Sequence, residues 1–146
     1  MSTELDRTAA ARLQVDGQRY TDNRRQLVTV LAQGQAPLTI PEILERCPEL
    51  AQSSAYRNLS VLERAGVVQR IVTSDEWARY ELAEAFTEHH HHLICAACGR
   101  VEDFTVSAAL EGAIDTALAE VARTAGFSLD HHRLDLVGRC GRCAPG

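Results

Sequence analysis

The sequence predicts an α+β protein, with an N-terminal winged helix-turn-helix followed by a small C-terminal α/β dimerisation domain. Three observations carry this. Helical apolar spacing, broken by short turns, runs to Gly66 and then gives way to two β-rich runs. Two Cys-x-x-Cys pairs, Cys95–Cys98 and Cys140–Cys143, bracket the last predicted helix and strand. All six histidines and four of the five cysteines lie in that second part.

The first half reads as helices joined by tight turns. Thr21 is placed to cap a helix to about Gln33, with Leu27, Val28, Val30 and Leu31 on its apolar face and Gly34 as its stop. Thr39-Ile40-Pro41-Glu42 fits a capping box that tolerates proline in the first turn, and Cys47-Pro48 ends the short helix it opens. Ser53 or Ser54 is expected to cap the next helix. There Ala55, Leu59, Leu62 and Ala65 recur at three-to-four spacing before Gly66. Residues 67–72 form a β-rich run, 73–76 a turn and 78–82 a second strand, which together make the wing. The expected domains are 1–82, a hinge at 83–88 with sequence AEAFTE, and 89–146.

Beyond the hinge, HHHHLIC and 101–104 read as strands. A helix is expected from about Val106 to Ala125, with Ala109, Leu110, Ala113, Ala117, Leu118 and Val121 on one side and Gly126 as its stop. Phe127 to Val137 is expected as the last strand. Three short strands and one helix are too small to stand alone comfortably, so this part should dimerise, be cross-linked by metal, or both.

The chain has 146 residues, 45% of them apolar and 24% charged, which is globular composition. No apolar run approaches the ~20 residues of a membrane span, and the N-terminus MSTELDRTAAARLQ lacks the apolar core of a secretory signal. A cytoplasmic protein without a membrane partner is therefore expected. The net charge of −5 does not exclude nucleic acid as a partner, because phosphate contact needs a local basic face. Arg24 and Arg25 open the first helix of the motif and suit backbone phosphates.

Four cysteines in two Cys-x-x-Cys knuckles suit tetrahedral Zn²⁺ as a structural ion. A reducing compartment argues against two disulfides, and an iron–sulfur cluster would use the same ligands. Cys47 stands apart beside Pro48 and reads as a small core residue. The run His89-His90-His91-His92 is internal. In a strand, His90 and His92 share one face while His89 and His91 share the other, so one segment can serve two metal sites. His132, with neighbouring His131, is placed to complete one of them. Glu81, Glu84, Glu88, Asp103 and Glu111 are carboxylates within reach. Histidine–carboxylate sites exchange their ion more readily than a tetrathiolate, which is what a sensor requires. For the carboxylates, a solvated acidic face is nearly as good an explanation.

These residues resemble the ferric uptake regulator family of metal-dependent repressors. The resemblance is carried by RYTDNRRQLVTVL, SAYRNLSVLERAGVVQR, HHHHLICAACGRVEDF and HHRLDLVGRCGRC, and it spans about residues 17–143. It implies a homodimer that represses transcription when a divalent ion occupies a regulatory site. Cys95, Cys98, Cys140 and Cys143 match the structural zinc ligands. His90, His92 and Glu81 match a hinge-side regulatory site. His89 and His132 match a further site, with Glu111 as its carboxylate despite a spacing from Cys98 one residue longer than usual. Tyr56 and Arg57 match recognition-helix residues that touch DNA, and Arg19 a basic residue near the minor groove.

Departures bear on the ion. The loop Gln35-Ala36-Pro37-Leu38 has no donor where many members place a histidine. The hinge has no cysteine, and the start of the wing has Gln69. The all-histidine run is nearer to zinc sensors than to iron sensors. The function implied is a metal-responsive, non-enzymatic repressor of metal-uptake and homeostasis genes that binds a palindromic double-stranded operator. Zn²⁺ is favoured as the regulatory ion over Fe²⁺, with a peroxide-sensing member third. A zinc-dependent enzyme would need a motif such as HExxH, which is absent. A zinc-ribbon interaction module would leave the winged helix unexplained.

Overall fold

A computed structural model describes residues 3–73 and 77–144. The chain order is α1 (Glu4–Val15), α2 (Asp22–Gln33), β1 (Leu38–Thr39), α3 (Ile40–Arg46), α4 (Gln52–Arg64), β2 (Val68–Val72), β3 (Ala78–Leu82), a 3-10 turn (Glu84–Phe86), β4 (His91–Cys95), β5 (Val101–Phe104), α5 (Ala108–Ala125) and β6 (Asp135–Gly138). The architecture is the predicted α+β one.

The caps explain most boundaries. Thr21 accepts from the Arg24 N–H and starts α2. Thr39 and Glu42 form the expected reciprocal box, with Pro41 in the first turn of α3. Gly66 follows α4 at φ +77°, and a Cβ there would lie 3.2 Å from the Arg12 guanidinium. That guanidinium donates to the Gly66 carbonyl at 2.5 Å and sits 5.1 Å above the Phe86 ring. It therefore joins α1 to the end of α4 and to the 3-10 turn.

Four expectations are corrected. The α4 helix starts two residues early, with Ala51 at the cap and no side-chain cap bond, so Ser53 and Ser54 fall inside the first turn. The last strand covers only Asp135–Gly138, because only that stretch lies beside β4. His132, upstream, is drawn toward α5. The third difference is that β4 begins at His91, leaving His89 and His90 just before it. Finally, α5 begins at Ala108, capped by Ser107. Two elements were not anticipated. One is α1, opened by a capping box between Thr3 and Asp6, and the other is the two-residue β1. The turn expected over 73–76 lies, from residue 74 on, outside the described residues.

Two three-stranded sheets result. The first has order β1-β3-β2, all antiparallel, with Gln69 opposite Glu81 and Arg70 opposite Tyr80. The second has order β5-β4-β6, antiparallel between β4 and β5 and parallel between β4 and β6. The apolar core belongs to the first half: Leu13, Leu27, Val28, Ile43, Leu59, Leu62 and Val67 are fully buried there. In the second half the apolar side of α5 and β6 faces outward. Val121 is 63% exposed, Phe127 73% and Val137 69%. Burial of that face requires something beyond this one chain.

Candidate metal centres and nucleic-acid interface

Among the described residues, three clusters of side chains able to ligate a metal form, each with its donor atoms mutually within 4.8 Å. The first is Cys95, Cys98, Cys140 and Cys143. A turn at Gly99, with φ +79°, and the parallel β4–β6 pair bring the two knuckles together. Cys98 Sγ lies 3.8 Å from Cys140 Sγ, the edge of a tetrahedron with bonds of about 2.3 Å. The N–H groups of Cys140 and Cys98 donate to Cys95 Sγ at 3.3 and 3.5 Å and favour its thiolate, lowering its pKa to about 6. The neighbouring sulfurs push Cys143 up to about 12. Four sulfurs competing for protons in this spacing fit a thiophilic cation. None of the four is in a disulfide.

The second cluster joins the two halves. Glu81 comes from β3, His90 from just before β4, His92 from β4, and Asp103 from β5. His92 Nε2 is 2.8 Å and His90 Nε2 3.1 Å from the Glu81 carboxylate, and Asp103 lies 3.5 Å from His92 and 3.8 Å from His90. Glu81 is 7% exposed and also accepts from the Gln69 amide. Burial opposes its ionisation, yet the His92 hydrogen bond and the charges of both imidazoles hold its pKa below the ordinary value. Burial likewise disfavours the two imidazolium ions, but Glu88 and Glu81 at His90, and Glu81 and Asp103 at His92, raise both pKa values. Burial and the Glu81 charge raise Asp103. Behind the cluster, His92 Nδ1 lies 3.4 Å from Asp135 and His90 Nδ1 2.9 Å from the Glu88 carbonyl, which orient the rings.

The third cluster is on the other side of β4. His89 and His91 meet Glu111 of α5 and His132 before β6. Glu111 Oε1 is 2.8 Å from His89 Nε2 and 3.0 Å from His132 Nε2, while its Oε2 is 2.8 Å from His91 Nε2. Two imidazole nitrogens, of His89 and His132, face each other at 3.1 Å. Glu111 Oε1 is buried between the His89 and His132 nitrogens without a well-aligned hydrogen bond to either, and His91 Nδ1 is buried without a hydrogen-bond partner. Buried polar atoms normally have partners, and donor atoms spaced about 3 Å apart match ligand separations around an ion with bonds of about 2 Å. The residues thus fit a bound cation. Glu84 contacts His89 Nδ1, and Asp115 lies 3.3 Å from His132 Nδ1.

The histidine alternation expected from a strand therefore sorts the run into two clusters, even though only two of its members lie in β4. The clusters contain His89, His90, His91, His92, Glu81, Glu111 and His132 as anticipated. His131 joins neither. Asp103 carried no stronger signal in the sequence than Glu84 or Glu88. Its position opposite His92 in the β4–β5 register is what selects it.

On α4, Ala55, Asn58, Leu59 and Leu62 are buried while Tyr56 and Arg57 are exposed. No side chain caps the start of this helix, so its first N–H groups lack the side-chain acceptor that a phosphate could supply. Arg19 is exposed. Arg24 and Arg25 are engaged within the chain. Arg24 donates through Nε to Asn58 at 2.9 Å and through its terminal nitrogen to the Arg19 carbonyl at 2.6 Å. Arg25 stacks 5.0 Å from the Tyr20 ring, 3.6 Å from Asp6.

A winged helix whose last strand supplies a carboxylate to a candidate ion site shared with the α/β half is the arrangement of a metal-responsive DNA-binding regulator. The chain belongs to the ferric uptake regulator family, whose model matches residues 15–137. Members are transcriptional regulators and not enzymes. The peroxide operon regulator of Bacillus subtilis is 28% identical over 136 residues, covering 90% of this chain and 88% of that protein. The ferric uptake regulator of Helicobacter pylori, whose structure is described as revealing three functional metal binding sites, is 27% identical. Its TM-score is 0.72, with 98% of this chain and 97% of that one covered. A zinc-bound manganese uptake regulator is 28% identical with a TM-score of 0.62, covering 94% and 99%. No helix among the described residues is long and apolar enough to cross a membrane.

Proposed function

We propose that the chain is a zinc-responsive repressor of metal-uptake and homeostasis genes, acting as a cytoplasmic homodimer on a palindromic operator. The observation that carries the zinc reading is the hinge cluster's convergence of four donors, two imidazoles and two carboxylates, a coordination number that suits zinc, from a run of four histidines whose other members form a second cluster of three imidazoles and one carboxylate. Four nitrogen and oxygen donors suit zinc, and the imidazole-rich set favours it over harder ions. Cys95, Cys98, Cys140 and Cys143 would hold the structural zinc.

In this reading residues 1–82 bind DNA, 83–88 are the hinge and 89–146 bind metal and dimerise. Tyr56 and Arg57 read the major groove, and Arg19 contacts the backbone or minor groove. Arg24 holds α4 in place through Asn58. The outward apolar side of α5 and β6 meets a second copy. A divalent cation at Glu81, His90, His92 and Asp103 supplies two positive charges against the two carboxylates. With those four side chains held together, β3 of the wing is fixed against β4 and β5. The separation of the two recognition helices in the dimer is then fixed as well. Without that tie the halves sample many separations and bind operator weakly.

Iron or peroxide sensing is the second reading. It is favoured by the two carboxylates of the hinge cluster and by the similarity to a peroxide operon regulator. Operator binding by ion-stripped protein supplied separately with Zn²⁺, Fe²⁺ and Mn²⁺ tests the choice. Half-saturation at the lowest free concentration with zinc supports the proposal, and a tighter response to iron assigns the chain to the second reading.

A further inference from the structure

Four arginines from four different elements line one open-sided cleft between the halves. Arg46 ends α3, Arg79 lies on β3, Arg100 precedes β5 and Arg142 belongs to the second cysteine knuckle. The cleft holds about 450 Å³, within the range of small-molecule sites. Gln35 adds a neutral amide, and the lining has one carboxylate, Glu42. That carboxylate is already used: its Oε1 accepts from the Thr39 N–H at 3.1 Å and the Thr39 hydroxyl at 2.8 Å, as the cap of α3. Arg100 pairs with Glu102 beside the cleft, and Arg79 donates to the Thr73 hydroxyl at 2.9 Å. Arg46 and Arg142 have no ion-pair partner among the described residues.

A concentration of one sign of charge is unexpected in a chain of net charge −5, and most of all beside a C-terminal half that is the more acidic. Guanidinium groups gathered around a polar cavity are the usual means of recognising a tetrahedral oxyanion, because each presents a planar fork of donors. The geometry points to a binding site for a small dianionic oxyanion of the phosphate or sulfate class, held by Arg46 and Arg79 from the DNA-binding half and by Arg100 and Arg142 from the metal-binding half. Such an occupant spans the same two halves as the Glu81 cluster, at a separate place, and would favour the arrangement in which they are close. The competing role for these arginines is neutralisation of the cysteine cluster, since Cys98 and Cys140 also face the cleft. A zinc tetrathiolate carries two negative charges.

The test is calorimetric titration of the full-length, zinc-loaded protein with sodium sulfate and, separately, inorganic phosphate at constant ionic strength. Circular dichroism and zinc content are followed alongside. Expected is saturable binding of one anion per chain, weakened about tenfold or more by Arg46→Gln and by Arg142→Gln with fold and zinc content unchanged. Absence of saturable binding overturns the proposal, as does binding indifferent to Arg46→Gln. Loss of zinc from Arg142→Gln with anion binding intact assigns the arginines to the tetrathiolate. A shallower salt dependence of operator binding in Arg46→Gln, without anion binding in the parent, assigns them to the DNA backbone.

Discussion

His91 and His92 are adjacent on β4, yet each lies 2.8 Å through Nε2 from a different carboxylate: His91 from Glu111 on α5, His92 from Glu81 on β3. The pleat of one strand thus separates two candidate ion sites by a single residue. One looks inward to the α/β domain and the other across to the wing. Substitutions at these neighbours should consequently differ in kind. In His92→Ala, ion binding at the Glu81 cluster and metal-dependent operator binding are lost together. In His91→Ala one ion is lost from the other cluster while operator binding still responds to metal. Ion stoichiometry by mass spectrometry, with mobility shift on the same preparations, checks both; identical phenotypes would contradict the division.

Glu81 is buried among Gln69, His90 and His92, so its carboxylate is the centre of the hinge cluster. Glu81→Gln keeps the shape and removes the charge that the ion requires. Affinity for the exchangeable ion should fall by about tenfold to a hundredfold, by analogy with loss of groups that tune metal ligands. The cysteine-bound zinc should remain. Competition with a chromophoric chelator measures the first, and denaturing release of zinc the second.

Cys95 is the buried member of its cluster and accepts two backbone N–H groups. Cys95→Ser should release the structural zinc and unfold the β4–β6 region while leaving the N-terminal core, which contains most of the buried apolar residues, folded. Loss of part of the helical circular dichroism with a persisting cooperative transition is the expected result. A fully folded variant without zinc would contradict the structural role.

The α1 helix depends on an ionised side chain. Asp6 accepts from the Tyr20 hydroxyl at 2.7 Å and from the Thr3 N–H at 3.2 Å, and the Tyr20 bond above all lowers its pKa. A carboxyl whose folded pKa is depressed contributes stability that is full above the unfolded value, about 3.9, and is lost as pH falls through the folded value. Asp6→Asn should cost about 1–3 kcal/mol at pH 7, and the difference from the parent should shrink below about pH 4. Urea unfolding at pH 7 and pH 3 measures it; a gap constant with pH would show that the charge is not what matters.

Much of this was legible in the sequence, and the exceptions have physical causes. The Cys-x-x-Cys pairs, the capping box at Thr39 and the period change at Val67 are local signals, and the structure agrees with each. The strand alternation correctly split the histidines, although His89 and His90 precede β4. Selection of Asp103 was beyond local reading, because it comes from the register of β4 against β5. The extent of β6 was misjudged because a strand ends where its partner ends, and residues before Asp135 are drawn toward α5. The α1 box of Thr3 and Asp6 was in plain view, but the helix has a shallow apolar pattern. Arg24 reads in the sequence as a phosphate contact, and only the fold shows that its guanidinium also donates to Asn58.

The most direct measurement is operator affinity of the dimer as free zinc is raised, with the cysteine-bound zinc retained throughout, in the parent and in His90→Ala/His92→Ala. The account predicts a rise of about tenfold or more in the parent. It predicts no rise in the double variant, which stays folded and dimeric by sedimentation. Tight operator binding by the parent before zinc is added, or an unchanged zinc response in the variant, would contradict it.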